Sequence, residues 1–398
     1  MRLKQLSAGV SEAVISGRSA KALAFSSDEK KMVLIAVDIM GFAAPNAAET
    51  INDICSRCGI GASDLMVVCS GAASGPVTCP RYGMAEPEEA FLKELGIGLP
   101  ELAVSALNSL APVSAGCYRA NLPHIAHNAR FLTRNLKAVN EWMDVPQNEV
   151  LSAEGPSDPD LDVLAVRDDS GSLSALLWCY SAEDRFGESL GSAVQEEIDR
   201  RLGGHIPCLR LPGCGADTAF TYDFQKTVDL LSSSVIASAM EACCDPTAAV
   251  CSERRSVILP VRDYSIFYDR AEVEMKLPGA VPIFERELGM LQKEALTALP
   301  ASIQAIRLGG FAIAGLPGNA FASLALDLKR RSPVKLTCVT GFCGGTQGYL
   351  MPGDSFDNGG FEAWPARWAL PARGSGEFLC DELAGVLVRL SAHKGCSR

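Results

Sequence analysis

Four cysteines sit in or beside separate small-residue loops: Cys69 before Ser-Gly-Ala-Ala-Ser-Gly-Pro, Cys179 before Tyr-Ser, Cys214 in Gly-Cys-Gly-Ala-Asp, and Cys343 in Gly-Phe-Cys-Gly-Gly. Thiols gathered from such loops could supply a nucleophile or hold a soft metal. Cysteine also packs well beneath small residues, and a chain with 15 of them places some beside loops by composition alone. Both readings stand. Cys55 and Cys58 have zinc-knuckle or redox spacing, but no second well-spaced pair follows, so they are expected to finish an amphipathic helix over 47–58. His124 and His127, at i and i+3, could share one face of a helix, while His205 and His393 are isolated. Each is read as structural, with a displaced general base as the alternative.

The polar candidates lie at strand ends. Ser70 and Ser74 belong to a loop of small residues that lets a backbone approach a ligand closely, although Gly71, Ala72 and Ala73 offer almost no chemistry. Asp217, in a glycine-containing loop, is either functional or the cap of a following helix. Asp38 reads as a hydrogen-bond acceptor for a neighbouring loop. Asn319 is expected to cap a helix running to about Arg330, whose N-terminal amides could receive an anionic group.

These residues need strands to carry them. The apolar run 31–38, a helix, and the strand 64–69 have the spacing of a crossover unit in a buried sheet. Between Pro80 and Pro123 the punctuation predicts an irregular stretch with short helical patches. Apolar spacing predicts a long helix over 125–142. Strands 161–166 and 173–180, joined by a turn at 168–171, read as a hairpin-like pair. Further helices are expected at 189–202, 224–243 and 281–299, and strands at 205–211, 303–308, 311–314 and 334–339. No repeat or low-complexity linker divides the chain. The fold class expected is α/β: one large domain with mixed, mostly buried sheets and surrounding helices.

At 398 residues and 48% hydrophobic content the chain can bury a large core, and its net charge of −11 argues against a nucleic-acid partner. The N-terminus has no continuous apolar segment of the kind that directs secretion, and the apolar stretch 309–326 is broken by Gly315, Pro317, Gly318 and Asn319. The expectation is a cytoplasmic protein without stable membrane insertion, its cysteines reduced.

The order of the loops carries more than any one of them. LSAGVSEAVISG, AVDIMGF, VVCSGAASGP, SDPDLDVLAV, ALLWCYS, LRLPGCGADTAF, AIAGLPGNAF and GGTQGYLMPGDSFDNGGFE follow one another over nearly the whole chain. In that order they resemble the catalytic domain of the neutral/alkaline non-lysosomal ceramidase family. The resemblance implies a zinc-dependent amide hydrolase, here a single domain over 1–398 without the family's immunoglobulin-like module. It also exposes departures. The family's T-H-T-H-S-G-P is Ser70-Gly71-Ala72-Ala73-Ser74-Gly75-Pro76, so both histidines are replaced. A further family histidine falls at Ser181, and the P-G-E carboxylate falls at Asn319. Tyr349 retains the ligand tyrosine. The catalytic serine falls at Ala219, with Asp217 kept.

Gly71, Ser181 and Asn319 offer neither imidazole nor carboxylate, and catalytic zinc is usually held by three protein ligands. Without the metal, nothing lowers a water's pKa toward neutrality. No cofactor is therefore expected, zinc included. The expected function is a non-hydrolytic small-molecule-binding or regulatory protein whose ligand occupies the ancestral pocket around Ser70, Ser74, Ser181, Asp217, Asn319 and Tyr349. The alternative is a diverged hydrolase or transferase acting on an amide or acyl substrate with a rebuilt site. Its candidate groups are Cys214, Cys69, Ser74, Ser181 and Asp217.

Overall fold

The architecture was obtained as a computed structural model, in which residues 5–27, 30–72, 74–79, 86–143, 145–264 and 270–392 are described. In chain order the elements begin with β1 (Ser7–Ile15), β2 (Arg18–Ser27), β3 (Lys30–Val37), α1 (Ala44–Cys58), β4 (Leu65–Cys69), α2 (Glu89–Asn108) and β5 (Ala111–Asn121). Four short strands follow, β6 (Ala126–Asn128), β7 (Arg130–Thr133), β8 (Ala138–Asn140) and β9 (Val150–Ala153). Then come β10 (Asp160–Asp168), β11 (Leu173–Tyr180), α3 (Leu190–Leu202), β12 (Cys208–Pro212), β13 (Thr218–Phe220), α4 (Phe224–Glu241) and β14 (Val250–Pro260). The last part holds α5 (Arg270–Lys276), α6 (Val281–Glu294), β15 (Ala298–Leu308), β16 (Phe311–Gly315), β17 (Asn319–Ala320) and α7 (Ala322–Arg331). It ends with β18 (Leu336–Thr340), β19 (Tyr349–Leu350), α8 (Gly353–Asn358) and α9 (Ser375–Ser391).

Two sheets face each other between helices. The larger has eight strands in the order β12-β11-β10-β5-β1-β2-β3-β4, and the smaller has four, β14-β15-β16-β18. Their inner faces share one core: Leu34, Leu164 and Leu177 from the larger sheet pack with Ile306 and Ile313 from the smaller. On the outer face of the larger sheet, α1 and α2 cover one half and α3 and α4 the other. Helices α7 and α9 cover the smaller sheet. Being buried on both faces explains the continuous apolar strands. In β10, Leu164 and Val166 point into the inter-sheet core while Val163 and Ala165 pack under the helices. The fold is thus α/β, as the alternation along the chain predicts, with its layers in the order helix–sheet–sheet–helix.

The crossover β3–α1–β4 is present with its strands parallel, and β10–β11 is antiparallel with its turn after Asp168. Three expectations fail. The segment 125–142 forms β6, β7 and β8 rather than a helix. Its apolar spacing fits either period, and burial of Arg130 between Glu154 and Glu362 favours extended chain. The stretch read as irregular contains α2, a 20-residue helix. Its Phe91, Leu95, Leu99, Leu102 and Ala106 form a buried stripe, while Gly98 lets the Ile15 side chain approach. The helix predicted to 299 ends at Glu294, where Ala295 takes a left-handed cap and the chain turns into β15. Among the described residues no helix is long and apolar enough to cross a membrane.

Candidate functional site

The C-terminal ends of β3, β4, β11, β12, β16 and β18 feed loops that lock together through backbone hydrogen bonds. Cys69 N–H donates to Phe342 O, Phe342 N–H to Gly318 O, Gly213 N–H to Tyr180 O, and Ala216 N–H to Ala320 O. Ligands of open α/β sheets gather at such strand ends. Ser70, Ser181, Asp217, Asn319 and Tyr349 all lie in this loop cluster.

The loop after β4 is self-contained. Ser70 Oγ donates to Asp38 Oδ1 at 2.7 Å and accepts from Ala72 N–H at 3.2 Å. Asp38 is thus the acceptor for a neighbouring loop, as expected. Gly71 has φ +73°, and a Cβ there would sit 2.7 Å from Phe342 Cε2. The Phe342 ring fills the space beside Gly71. Ser74 Oγ accepts from Arg18 at 3.4 Å. Ala73 lies outside the described residues.

Ser181 is 2% exposed and faces inward. Its hydroxyl donates to Asp158 Oδ2 at 3.2 Å, and Lys329 Nζ on α7 bonds the same oxygen at 2.7 Å. Arg119 donates to the neighbouring Asp162 at 2.6 Å. Burial works against the Lys329 charge, but Asp162 and Asp158 outweigh it and hold the ammonium above its usual pKa. Ser181 belongs to an ion network that ties α7 to β10.

Asn319 does not cap α7. It lies in β17, paired in register with Tyr349 of β19, and the residue preceding the helix is Phe321, which provides no side-chain cap. The first amide of α7, Ala322 N–H, instead donates to Asp217 Oδ1 at 2.8 Å. Asp217 Oδ2 accepts from Asn128 Nδ2 at 2.9 Å. Burial pushes the Asp217 carboxyl up to about 7, against the pull of the Ala322 amide and Arg130. The acceptor at this helix start is therefore the protein's own carboxyl group, and Asp217 caps a helix distant in sequence rather than the one that follows it.

The partly exposed chemistry nearby comes from residues that motif reading left aside. Asn319 Nδ2 donates to Glu183 Oε1 at 3.5 Å, and Arg185 Nε to Glu183 Oε2 at 2.6 Å. Arg185 also reaches Glu141 at 3.2 Å, and Glu141 bonds His127 Nε2 at 2.7 Å. Tyr349 interacts electrostatically with Arg185. Backbone pairing sets this row, since Ala219 sits opposite His127 in β13–β6 and beside Glu183 in an isolated bridge. Burial raises the Glu183 carboxyl above its usual range, with Arg185 opposing it. Charged residues just past ALLWCYS were the available signal for Glu183 and Arg185; nothing local marks Glu141. His127 lies on strand β6 and His124 in the preceding turn, so they do not share a helix face. His205 pairs with Glu12 and Asp199 on the surface, and His393 lies outside the described residues.

The loop cysteines interact in pairs, Cys69 with Cys343 and Cys214 with Cys179, rather than as one group of four. Cys69, Cys179 and Cys214 belong to three different core clusters, and Cys343 shares that of Cys179. Burial pushes the thiols of Cys69 and Cys214 up, and that of Cys343 to about 12. Cys55 and Cys58 end α1. Among the described residues, no group of three or more His, Cys, Asp and Glu is placed to hold a metal ion.

Two solved structures share this architecture. The neutral ceramidase of Pseudomonas aeruginosa aligns with a TM-score of 0.69 at 13% identity, over 97% of this chain and 74% of its own. A structure described as ceramidase complexed with C2 aligns with a TM-score of 0.71 at 12% identity, over 99% of this chain and 76% of its own. The chain has a ceramidase-like fold. No protein-family model matches it, and no curated protein does.

At the positions that the resemblance assigns to zinc ligands, the residues present do not fit the metal. Beside Gly71 stands a phenyl ring, the Ser181 hydroxyl is committed to Asp158, and Asn319 and Tyr349 supply an amide and a phenol. That donor set lacks the imidazoles and carboxylate that hold catalytic zinc.

Proposed function

We propose that this ceramidase-fold protein binds a small polar molecule with a cationic or hydrogen-bond-donating head, without zinc-dependent amide hydrolysis. The observation that carries this reading is Glu183, a carboxylate held by Asn319 and Arg185 at the strand ends, with Glu141 beyond the same guanidinium. Two carboxylates against one guanidinium leave a negative surface that favours a positive or donating group. The test combines elemental analysis of tag-free protein with calorimetric titration of small primary alkylamines. The expected result is no stoichiometric zinc and saturable amine binding that Glu183→Gln removes. One zinc per chain together with turnover of an N-acyl substrate overturns the reading.

One observation favours a metal-free acyl transferase or hydrolase instead. Thr221 Oγ1 lies 3.2 Å from His127 Nδ1, and His127 Nε2 lies 2.7 Å from Glu141 Oε2. Hydroxyl, imidazole and carboxylate in sequence are the arrangement of an activated nucleophile. In this reading His127 Nδ1 takes the Thr221 proton as the oxygen attacks a carbonyl, and Glu141 holds the imidazolium; the tetrahedral intermediate then expels the amine or alcohol, which leaves with that proton, and water or an acceptor takes the acyl group from Thr221. A fluorophosphonate probe should label Thr221 stoichiometrically and fail on His127→Gln; absence of the adduct in the native protein removes this reading.

A further inference from the structure

Strand β1 is paired along its whole length with β2, but with β5 only at Ser7 and Ala8. β5 begins at Ala111, opposite Ala8, and the chain before it is the end of α2, so from Gly9 onward β1 has no strand partner on that side. Val113 N–H donates to Leu6 O, so the even-numbered residues of β1 direct their backbone groups toward the β5 side. Val10 O points the same way and accepts from Ser109 Oγ at 3.3 Å. After Val10, the N–H and C=O groups of Glu12 and Val14 face outward along an open edge.

A groove of about 480 Å³ runs beside this edge, between residues 11–16 and the exposed flank of α2. Its volume lies within the range of about 300–1,000 Å³ typical of ligand clefts. Val14 and Ile97 on its walls are 76% and 51% exposed. Its charged lining groups are Glu12, Glu94 and Glu101.

We infer that this groove receives an extended polypeptide segment that adds to β1 as a further strand, with Lys or Arg at alternate positions. Main-chain bonds to Glu12 and Val14 would hold such a segment, and alternate side chains would face one wall of the groove. Its apolar residues lie on the Val14 face while its basic residues, on the α2 face, meet Glu94 and Glu101. Charge selects the occupant. A second copy pairing through the same edge would bring the Glu94 and Glu101 carboxylates of both chains together, which opposes self-association. A basic strand meets them favourably.

The probe is an acetylated, amidated (Lys-Val)₄ peptide titrated into the full chain, with (Glu-Val)₄ as control, followed by hydrogen exchange over residues 10–16. The expected result is saturable binding of the basic peptide only, with slowed exchange of the Glu12 and Val14 amides. Affinity should fall at least tenfold in Glu94→Lys/Glu101→Lys, which changes exposed side chains alone. Val14→Pro, which removes an outward N–H, should abolish the protection. No binding, or binding with unchanged exchange at 10–16, overturns the proposal. So does concentration-dependent dimerisation that protects the same amides without peptide.

Discussion

Asp217 Oδ1 accepts a hydrogen bond from Ala322 N–H at 2.8 Å across 105 residues of chain. A loop after β12 thereby caps the helix that follows β17. The helix start expected to receive an anionic ligand is already occupied by the protein's own carboxyl group.

That carboxyl titrates near 7 in the folded protein and near 3.8 when unfolded. Between about pH 4 and 7 the native state keeps a proton that the unfolded chain releases. Stability from this group is therefore greatest below its unfolded pKa and declines as pH rises through the window, by at most about 1.4 kcal/mol per pH unit. Denaturant titrations across pH should show Asp217→Asn with a flatter profile than the native chain. Asp217→Ala should lose about 1–3 kcal/mol, because the Ala322 and Asn128 donors are left without their acceptor.

A histidine placed at Gly71 should not be tolerated. A Cβ there meets the Phe342 ring at 2.7 Å, and φ of +73° disfavours any side chain. Gly71→Ala should cost about 1–3 kcal/mol in thermal unfolding, and Gly71→His more. Neither should bind zinc in a direct titration. An unchanged melting temperature would show that the ring yields easily.

Alkylation should separate the cysteines by burial. Iodoacetamide on the native protein, read by peptide mass spectrometry, should among the described cysteines modify exposed Cys243 first and spare Cys69, Cys179, Cys214 and Cys343. Rapid modification of Cys214 would instead revive a thiol nucleophile.

Lys329 holds Asp158 and Asp160 at 2.7 and 3.1 Å, with Asp162 at 3.7 Å. Lys329→Met should destabilise the chain by about 3–5 kcal/mol, since carboxylates buried against β10 lose their counter-charge. Lys329→Met/Asp158→Asn should recover part of this loss. Equal destabilisation of the single and double variants would mean that the lysine acts through packing alone.

Much of the architecture was legible along the chain. The runs 31–38, 161–166 and 173–180 are predominantly apolar because both faces of their sheet are covered, and their crossover and turn spacings match the pairing observed. Helix α1 and its terminal Cys55 and Cys58 were equally plain. Segment 125–142 was not, because its period is ambiguous and a buried Arg130 between two glutamates decides it. Nor was α2, whose Gly96, Gly98 and Pro100 read locally as breakers and are tolerated where the helix packs on β1.

The chemistry divides the same way. That Gly71, Ser181 and Asn319 carry no imidazole or carboxylate is a fact of residue identity, readable without any coordinates. What became of those positions is a matter of three dimensions. Ser181 turned to Asp158, Gly71 lies against Phe342, and Asn319 paired with Tyr349 and reached Glu183. Local composition specifies which groups a loop can offer. Which of them face solvent, and which neutralise a buried partner from elsewhere in the chain, depends on burial and hydrogen-bond satisfaction across distant segments, and only tertiary packing decides those.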